Sequence, residues 1–352
     1  MTDFTTNRNF MKAHHHLNIV SLADIANGIP QPAHEKPYSE DALKITLPPV
    51  DPETAPKVDL FKCMYERTSR RNYSDEPLSL TELAFLLFCT QGVKGTMEAY
   101  NKYLKNGESL IRPVPSAGAR NPYETYLAIN RIDGVEKGIW RYLPLSHELL
   151  FVSSVQDLSE RLISTFSNPD RNRHYSTNAA VVFFWAALPY RGEWRYTHTS
   201  HKIMLIDVGH ICQNLYLATE AIGCGCSAIG GYIQKNADAL LQIDGDNEFT
   251  VFCATVGRKK EYRDLKKFYC KMIDFISKEY HVSADDDPLH SDLLEKVERI
   301  TDPFAYNLLI KGIKDILTGT HNWSQDQIKA VDDFLLHQNA PMLSQMKQQI
   351  LE

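Results

Sequence analysis

Two spacings of apolar residues alternate along this chain, one near 3.6 and one short and continuous, and together they predict a mixed α+β protein. From Ser79 to Gly92 the sequence reads SLTELAFLLFCTQG. Leu83, Leu86, Leu87 and Thr90 recur at helical spacing, Ser79 and Glu82 have the spacing of a capping box, and Gly92 stands at the stop position. Asp59 precedes another helical stretch, LFKCMYER, and residues 156–167 form a third. A longer helix is predicted near 200–222, where Met204, Val208, Ile211, Leu215, Ala218 and Ile222 make one stripe and Gly223 ends it. Strand patterns lie at 123–130, 138–143 and 148–152, with turns supplied by Asp133-Gly134 and Pro144–His147. The run AAVVFFWAAL, 179–188, is too short to span a bilayer and suits a buried strand. CSAI and FTVFCATV (249–256) read as short core strands.

Three regions follow. Residues 1–57 read as an extended arm, because six prolines between Pro30 and Pro52 exclude long regular elements. Residues 58–260 carry the alternating helices and strands. Residues 261–352 show helical patterns only, with a capping box at Ser324 and Gln327, and read as a helical extension.

Composition narrows the function. A net charge of −6 argues against nucleic acid as a partner. No signal-peptide-like apolar core opens the chain, and its 7 cysteines show no disulfide spacing, so a cytoplasmic protein with no membrane partner is expected. His14–His16 have no accompanying carboxylate or cysteine set, and Cys224 and Cys226 have poor zinc spacing, so no functional metal site is expected.

Four segments could carry chemistry. In RTSRRNY, 67–73, Arg67 and Arg71 would share a helix face and, with Ser69, suit a phosphate; a solvated basic helix end is the alternative. RPVPSAGARNPYETYLAIN, 112–130, holds its loop with prolines and exposes backbone through Ser116, Ala117, Gly118 and Ala119. That suits close approach of a planar ring, or simply a tight loop before a strand. AIGGY, 228–232, puts Gly230 and Gly231 after a core strand without forming a dinucleotide fingerprint. VGRKK, 256–260, ends a strand in cations. His210, beside Gln213 and Asn214, reads as a hydrogen-bonded structural residue of a buried helix.

In their order and spacing these segments resemble the nitroreductase-fold flavoproteins of the SagB-type dehydrogenase branch, which includes thiazoline and oxazoline oxidases. That branch typically reads PSAGA-x-x-P before its strand and E-A-G-H-x-x-Q-N-L on its long helix. Here the helix reads Asp207-Val208-Gly209-His210 with Gln213, Asn214 and Leu215. The resemblance covers roughly residues 36–260 and implies an α+β nitroreductase fold, a mostly antiparallel sheet flanked by helices, with the C-terminal helical region added. It also implies FMN held non-covalently at a homodimer interface. By position, Arg67, Thr68, Ser69 and Arg71 would hold the phosphate and ribityl chain, helped by Arg258. Pro115, Ser116, Ala117, Gly118 and Ala119 would line the ring, and Ala228, Ile229, Gly230 and Gly231 would approach its reactive side. The Lys-Tyr pair of the azoline oxidases falls on Arg195-Tyr196. Arginine stays protonated and cannot be a base, which leaves Tyr196, with Lys202 as a substitute if burial lowers its pKa.

The expected activity is FMN-dependent oxidation or reduction of a C–N or C=C bond in a small molecule or modified peptide. One alternative is an NAD(P)H-dependent nitroreductase or ene-type reductase. Another is a flavin-free scaffold subunit of a peptide-modifying complex.

Overall fold

The computed structural model describes residues 3–12, 22–71, 73–98, 108–166 and 176–259, all within one compact unit, Met1–Lys260. The predicted helical extension and His14–His16 lie outside the described residues. The described helices are α1 (Thr5–Met11), α2 (Leu60–Glu66), α3 (Leu80–Gln91), α4 (Leu158–Thr165), α5 (Tyr190–Tyr196), α6 (Ser200–Ala221) and α7 (Gln234–Leu241). The strands are β1 (Lys44–Thr46), β2 (Gly95–Glu98), β3 (Glu108–Ile111), β4 (Tyr123–Ile129), β5 (Gly138–Leu143), β6 (Glu148–Ser153), β7 (Val181–Ala187), β8 (Cys224–Ile229) and β9 (Phe249–Arg258).

Seven strands form one sheet in the order β1-β6-β5-β4-β7-β9-β8, with every neighbour antiparallel, and β2 and β3 form a separate hairpin. The central strand β7 shows why its sequence is apolar throughout. Val181, Phe183, Trp185 and Ala187 face one core, while Val182, Phe184 and Ala186 face the other. The first core is closed by α3 and α6, through Leu83, Leu86, Leu87, Met204, Val208, Ile211 and Leu215. The second is closed by α4 and α7, through Leu158, Leu162, Leu240 and Leu241. Each large side chain buried this way contributes about 1.5–3 kcal/mol of transfer free energy.

The capping box of α3 forms as the spacing predicts: Glu82 N–H donates to Ser79 Oγ at 3.2 Å, and Ser79 N–H donates to Glu82 Oε2 at 2.8 Å. Gly92 does end α3, but not in the left-handed conformation of a usual glycine cap (φ −59°, ψ 157°). It is glycine because an added Cβ would lie 2.8 Å from the Phe88 Cα. Asp59 caps α2, accepting from Lys62 N–H at 2.7 Å.

The arm is tied to the sheet largely through side chains. Trp194 Nε1 donates to the Ile29 carbonyl and Arg191 Nε to the Ala33 carbonyl, each at 2.9 Å. Buried Glu124 of β4 accepts from Arg191 Nη2 at 2.6 Å and from the Lys36 backbone N–H at 2.9 Å. The Lys36 ammonium pairs with Glu248, and Tyr190 donates to Asp24 Oδ2 at 2.7 Å. Three of these anchors, Tyr190, Arg191 and Trp194, stand on α5.

Candidate functional site

Two clusters of predicted site residues form, and helix α6 separates them. In the first, the chain leaves α2 at Arg67 (φ −57°, ψ 119°) and runs beside β8, where Ser69 bridges Cys226 and Arg70 N–H donates to the Cys226 carbonyl at 2.9 Å. Arg67 and Arg71 therefore do not share a helix face, because the helix stops before them and pairing with a distant strand takes over. The Ser69 hydroxyl lies 3.0 Å from the Tyr216 hydroxyl, which also accepts from Ala228 N–H at 2.8 Å. The Arg67 guanidinium stands over the Tyr216 ring, 5.2 Å from its centroid. Thr68 Oγ1 is buried without a hydrogen-bond partner among the described residues. Arg71 is exposed.

Beyond Ala228, Ile229 is buried and Gly230 and Gly231 are exposed. A Cβ on Gly230 would meet only Phe252, at an ordinary 3.7 Å, so nothing in the chain's own packing demands glycine there. Arg258 departs from expectation. Its guanidinium grips Glu82 with two bonds, at 2.9 and 2.8 Å, so its charge is already neutralised by the α3 cap. Two hydrogen bonds from Arg258, with those from Ser79, outweigh burial and hold the Glu82 carboxyl below its ordinary pKa.

The second cluster is the loop after Pro115. Gly118, Ala119 and Asn121 all have left-handed φ, at 56°, 54° and 46°. In the L-residues Ala119 and Asn121 such a backbone needs outside support. Asp207 of α6 gives it, accepting from Ser116 Oγ at 2.6 Å and from the Ala117 N–H. Burial raises the Asp207 pKa in spite of these bonds. Ser116 Oγ in turn accepts from Asn121 N–H at 3.0 Å.

Arg195 and Tyr196, at the end of α5, close over this loop. An added Cβ on Gly118 would lie 2.5 Å from Tyr196 Oη and 2.9 Å from the Arg195 guanidinium. The Arg195 guanidinium stands 5.4 Å from the centre of the Tyr196 ring, so the two side chains point the same way. Lys202 does not join them: it is half-buried, and its Nζ donates to the Met11 carbonyl at 2.5 Å. Sequence reasoning missed Arg120, which is buried and whose Nε donates to the Gly118 carbonyl at 3.1 Å, and Tyr216.

His210 also departs from expectation. It is exposed, with Leu205, Ile206, Gly209 and Gln213, on a face of α6 that the core does not use. Cys212, Cys224, Cys226 and Cys253 are buried, and burial raises every one of these thiols, to about 12 for Cys212 and Cys224. That suits packing and not redox work. Among the described residues no three His, Cys, Asp or Glu side chains are grouped for a metal, and no helix is long and apolar enough to cross a membrane.

Asp207 and Tyr216 are nine residues apart, so they lie on opposite faces of α6 and roughly 13 Å apart along its axis. One chain thus holds two separate clusters: a donor-rich segment at 67–69 beside an open glycine turn, and a small-residue loop under an arginine and a tyrosine.

An antiparallel sheet with helices on both faces is the frame of an α+β protein. Residues 64–258 match the nitroreductase family, and the chain belongs to it. Members of that family are generally oxidoreductases and typically bind FMN. The chain is 28% identical over 221 residues to the putative nitroreductase MJ1384 of Methanocaldococcus jannaschii, covering 63% of this chain and 99% of that one. It is 28% identical to the trifolitoxin-processing protein TfxB of Rhizobium leguminosarum and 25% identical to the microcin B17-processing protein McbC of Escherichia coli. Those matches cover 53% and 52% of this chain, and 49% and 68% of the relatives. Among solved structures, a chain of the E. coli microcin synthetase McbBCD complex with truncated pro-MccB17 bound is similar at 15% identity and a TM-score of 0.45, over 74% of this chain and 99% of that one.

Proposed function

We propose that the chain is an FMN-dependent oxidoreductase of the SagB-type branch, acting on a C–N or C=C bond in a small molecule or modified peptide. The observation that carries the cofactor assignment is the orphaned Thr68 hydroxyl between Arg67 and Ser69, a donor set suited to a phosphoester. Arg67, Thr68, Ser69 and Arg71 would bind the phosphate and ribityl end, with Ala228, Ile229, Gly230 and Gly231 beside them. Pro115, Ser116, Ala117, Gly118 and Ala119 would bind the ring. Bound flavin supplies the two-electron chemistry; the chain orients the reactants and excludes water.

The two clusters lie on opposite faces of α6 and roughly 13 Å apart along its axis, which speaks against one flavin reaching both within a single chain. A second copy presenting its 115–119 loop would complete the site, which supports a homodimer. The exposed α6 face with Leu205 and Ile206 is a suitable seam. A peptide substrate is supported by the names of the trifolitoxin- and microcin-processing relatives.

The direction of transfer rests on Tyr196. Oxidation needs a base; a guanidinium such as that of Arg195 does not suit the role, and the Lys202 ammonium is directed to the Met11 carbonyl, away from the loop. This favours, as a second reading, an NAD(P)H-driven reductase in which Tyr196 gives up a proton.

The test is an absorbance spectrum of the purified chain, with flavin bands expected at roughly 370 and 450 nm, followed by Arg67→Ala and Arg71→Ala. Each variant should weaken FMN retention by about 1.5–3 kcal/mol. Absence of flavin binding would leave the scaffold reading. Bleaching of the ~450 nm band by NAD(P)H without air would support the reductase direction.

A further inference from the structure

Two cations meet at one backbone oxygen beside the 116–119 loop. Arg120 Nε donates to the Gly118 carbonyl at 3.1 Å, and Arg195 Nη1 donates to the same oxygen at 3.4 Å. Arg120 is only 4% exposed, and its Nη2 has no hydrogen-bond partner among the described residues. Arg70, Arg141, Arg191 and Arg258 each have a carboxylate within 4.0 Å. Among the described residues no carboxylate pairs with Arg120 or Arg195. Carboxylates nearby in the sequence or on the loop are committed elsewhere: Glu124 to Arg191 and Lys36, Glu193 to His201, and Asp207 to Ser116 and Ala117.

Aromatic planes complete the surroundings. The Arg120 guanidinium lies 5.1 Å from the centre of the Trp194 ring, and Arg195 lies over Tyr196. Rings partly compensate a cation but cannot neutralise two that repel each other. Burial first, and the charge of Arg195 second, lower the Arg120 pKa to about 10. A pair of guanidinium forks with unused donors, one of them desolvated, calls for an oxyanion between or beside them.

We propose that Arg120 and Arg195 form an oxyanion-binding subsite that holds a carboxylate or phosphate monoester of the molecule reacting at the 116–119 loop. This deepens the functional reading above and rests on that loop lining the flavin ring. The subsite would select an acidic substrate, or the phosphate of a nucleotide donor, and would set its reactive end against Tyr196.

Calorimetric titration of the flavin-loaded protein with benzoate, phenyl phosphate and benzamide tests it. The expected result is that one of the two anions binds at least about tenfold more tightly than neutral benzamide. A preference for benzoate assigns a carboxylate substrate; a preference for phenyl phosphate assigns a phosphorylated one. Arg195→Gln, at a half-buried position, should abolish the preference, with Arg195→Lys restoring part of it, while FMN affinity stays within about twofold of the parent. Arg120→Gln serves as the second variant. Equal binding of all three probes, or a preference that survives Arg195→Gln, overturns the proposal. So does a fall in FMN affinity in Arg195→Gln as large as the fall in anion affinity, which would assign the pair to the cofactor. If the protein holds no flavin, the same titration on the flavin-free chain still reads the subsite, so that failure belongs to the functional reading alone.

Discussion

Ser69 and Tyr216 meet hydroxyl to hydroxyl at 3.0 Å, across 147 residues of sequence. The same phenol accepts from the Ala228 amide, so a single oxygen ties the arginine-rich segment to the glycine turn. Tyr216→Phe removes both bonds and leaves that amide unpartnered, a loss of about 1–3 kcal/mol. FMN dissociation measured by fluorescence should rise at least fivefold or so, with far-UV circular dichroism unchanged.

Gly118 is held at φ 56° with Tyr196 Oη 2.5 Å from where a Cβ would stand. Gly118→Ala should cost about 1–2 kcal/mol for the left-handed backbone alone, and more for the contact. In the double variant with Tyr196→Phe, the part owed to the phenol oxygen should be recovered, while the backbone part and the Arg195 contact should not. A thermal-unfolding cycle over the four proteins separates the two.

Asp207 has a folded pKa raised above 3.8, first by burial. The folded state therefore holds this proton more tightly than the unfolded one, and stability from this group falls as pH rises from 3.8 through the folded pKa. Asp207→Asn can still accept one bond and carries no charge to desolvate. Its melting temperature relative to the parent should become more favourable as pH is raised through that window. A difference that moves the other way would contradict the assignment.

Glu82 behaves oppositely. Its pKa is lowered from 4.5, so its stabilisation is complete above 4.5 and is lost as pH falls through the folded value. Glu82→Gln keeps an acceptor for the Ser79 amide but gives up the charge pair with Arg258. It should cost about 1 kcal/mol at neutral pH, and denaturant titrations should show the gap closing in acid.

Ile206 is 50% exposed on the α6 face that the core leaves bare. Ile206→Asp should shift the light-scattering mass from twice 40.2 kDa to 40.2 kDa. On the proposed homodimer, FMN retention should fall in parallel, because the two clusters would no longer meet. A dimer that survives with full flavin would place the seam elsewhere.

Much of the frame was legible because it is written in local periodicity. β5 was predicted at its observed bounds, β4 and β7 to within two residues at each end, and the stripe on α6 is the stripe that is buried. What escaped was decided by distant partners. Arg67 looks helical by spacing until Cys226 claims the backbone of Arg70. Arg258 looks like a free cation until Glu82 is packed against it. Arg120 falls at a variable position of PSAGA-x-x-P and meets Arg195 only because both reach the Gly118 carbonyl. The short helices α1, α5 and α7 and the β2–β3 hairpin were not predicted; so few turns leave a helical period little room to register, and of the helices that short only α2, behind the cap residue Asp59, and α4 were found.

Helix α5 is seven residues long, yet Tyr190, Arg191 and Trp194 hold the arm while Arg195 and Tyr196 cover Gly118. The arm is therefore not severable from the site. Cutting the chain at residue 57 would strip the Ala33 carbonyl from Arg191 and the Ile29 carbonyl from Trp194, and open Glu124 to water. The wall behind Arg195 would lose its anchorage, and a truncation meant to trim a tail would be heard first at the 116–119 loop.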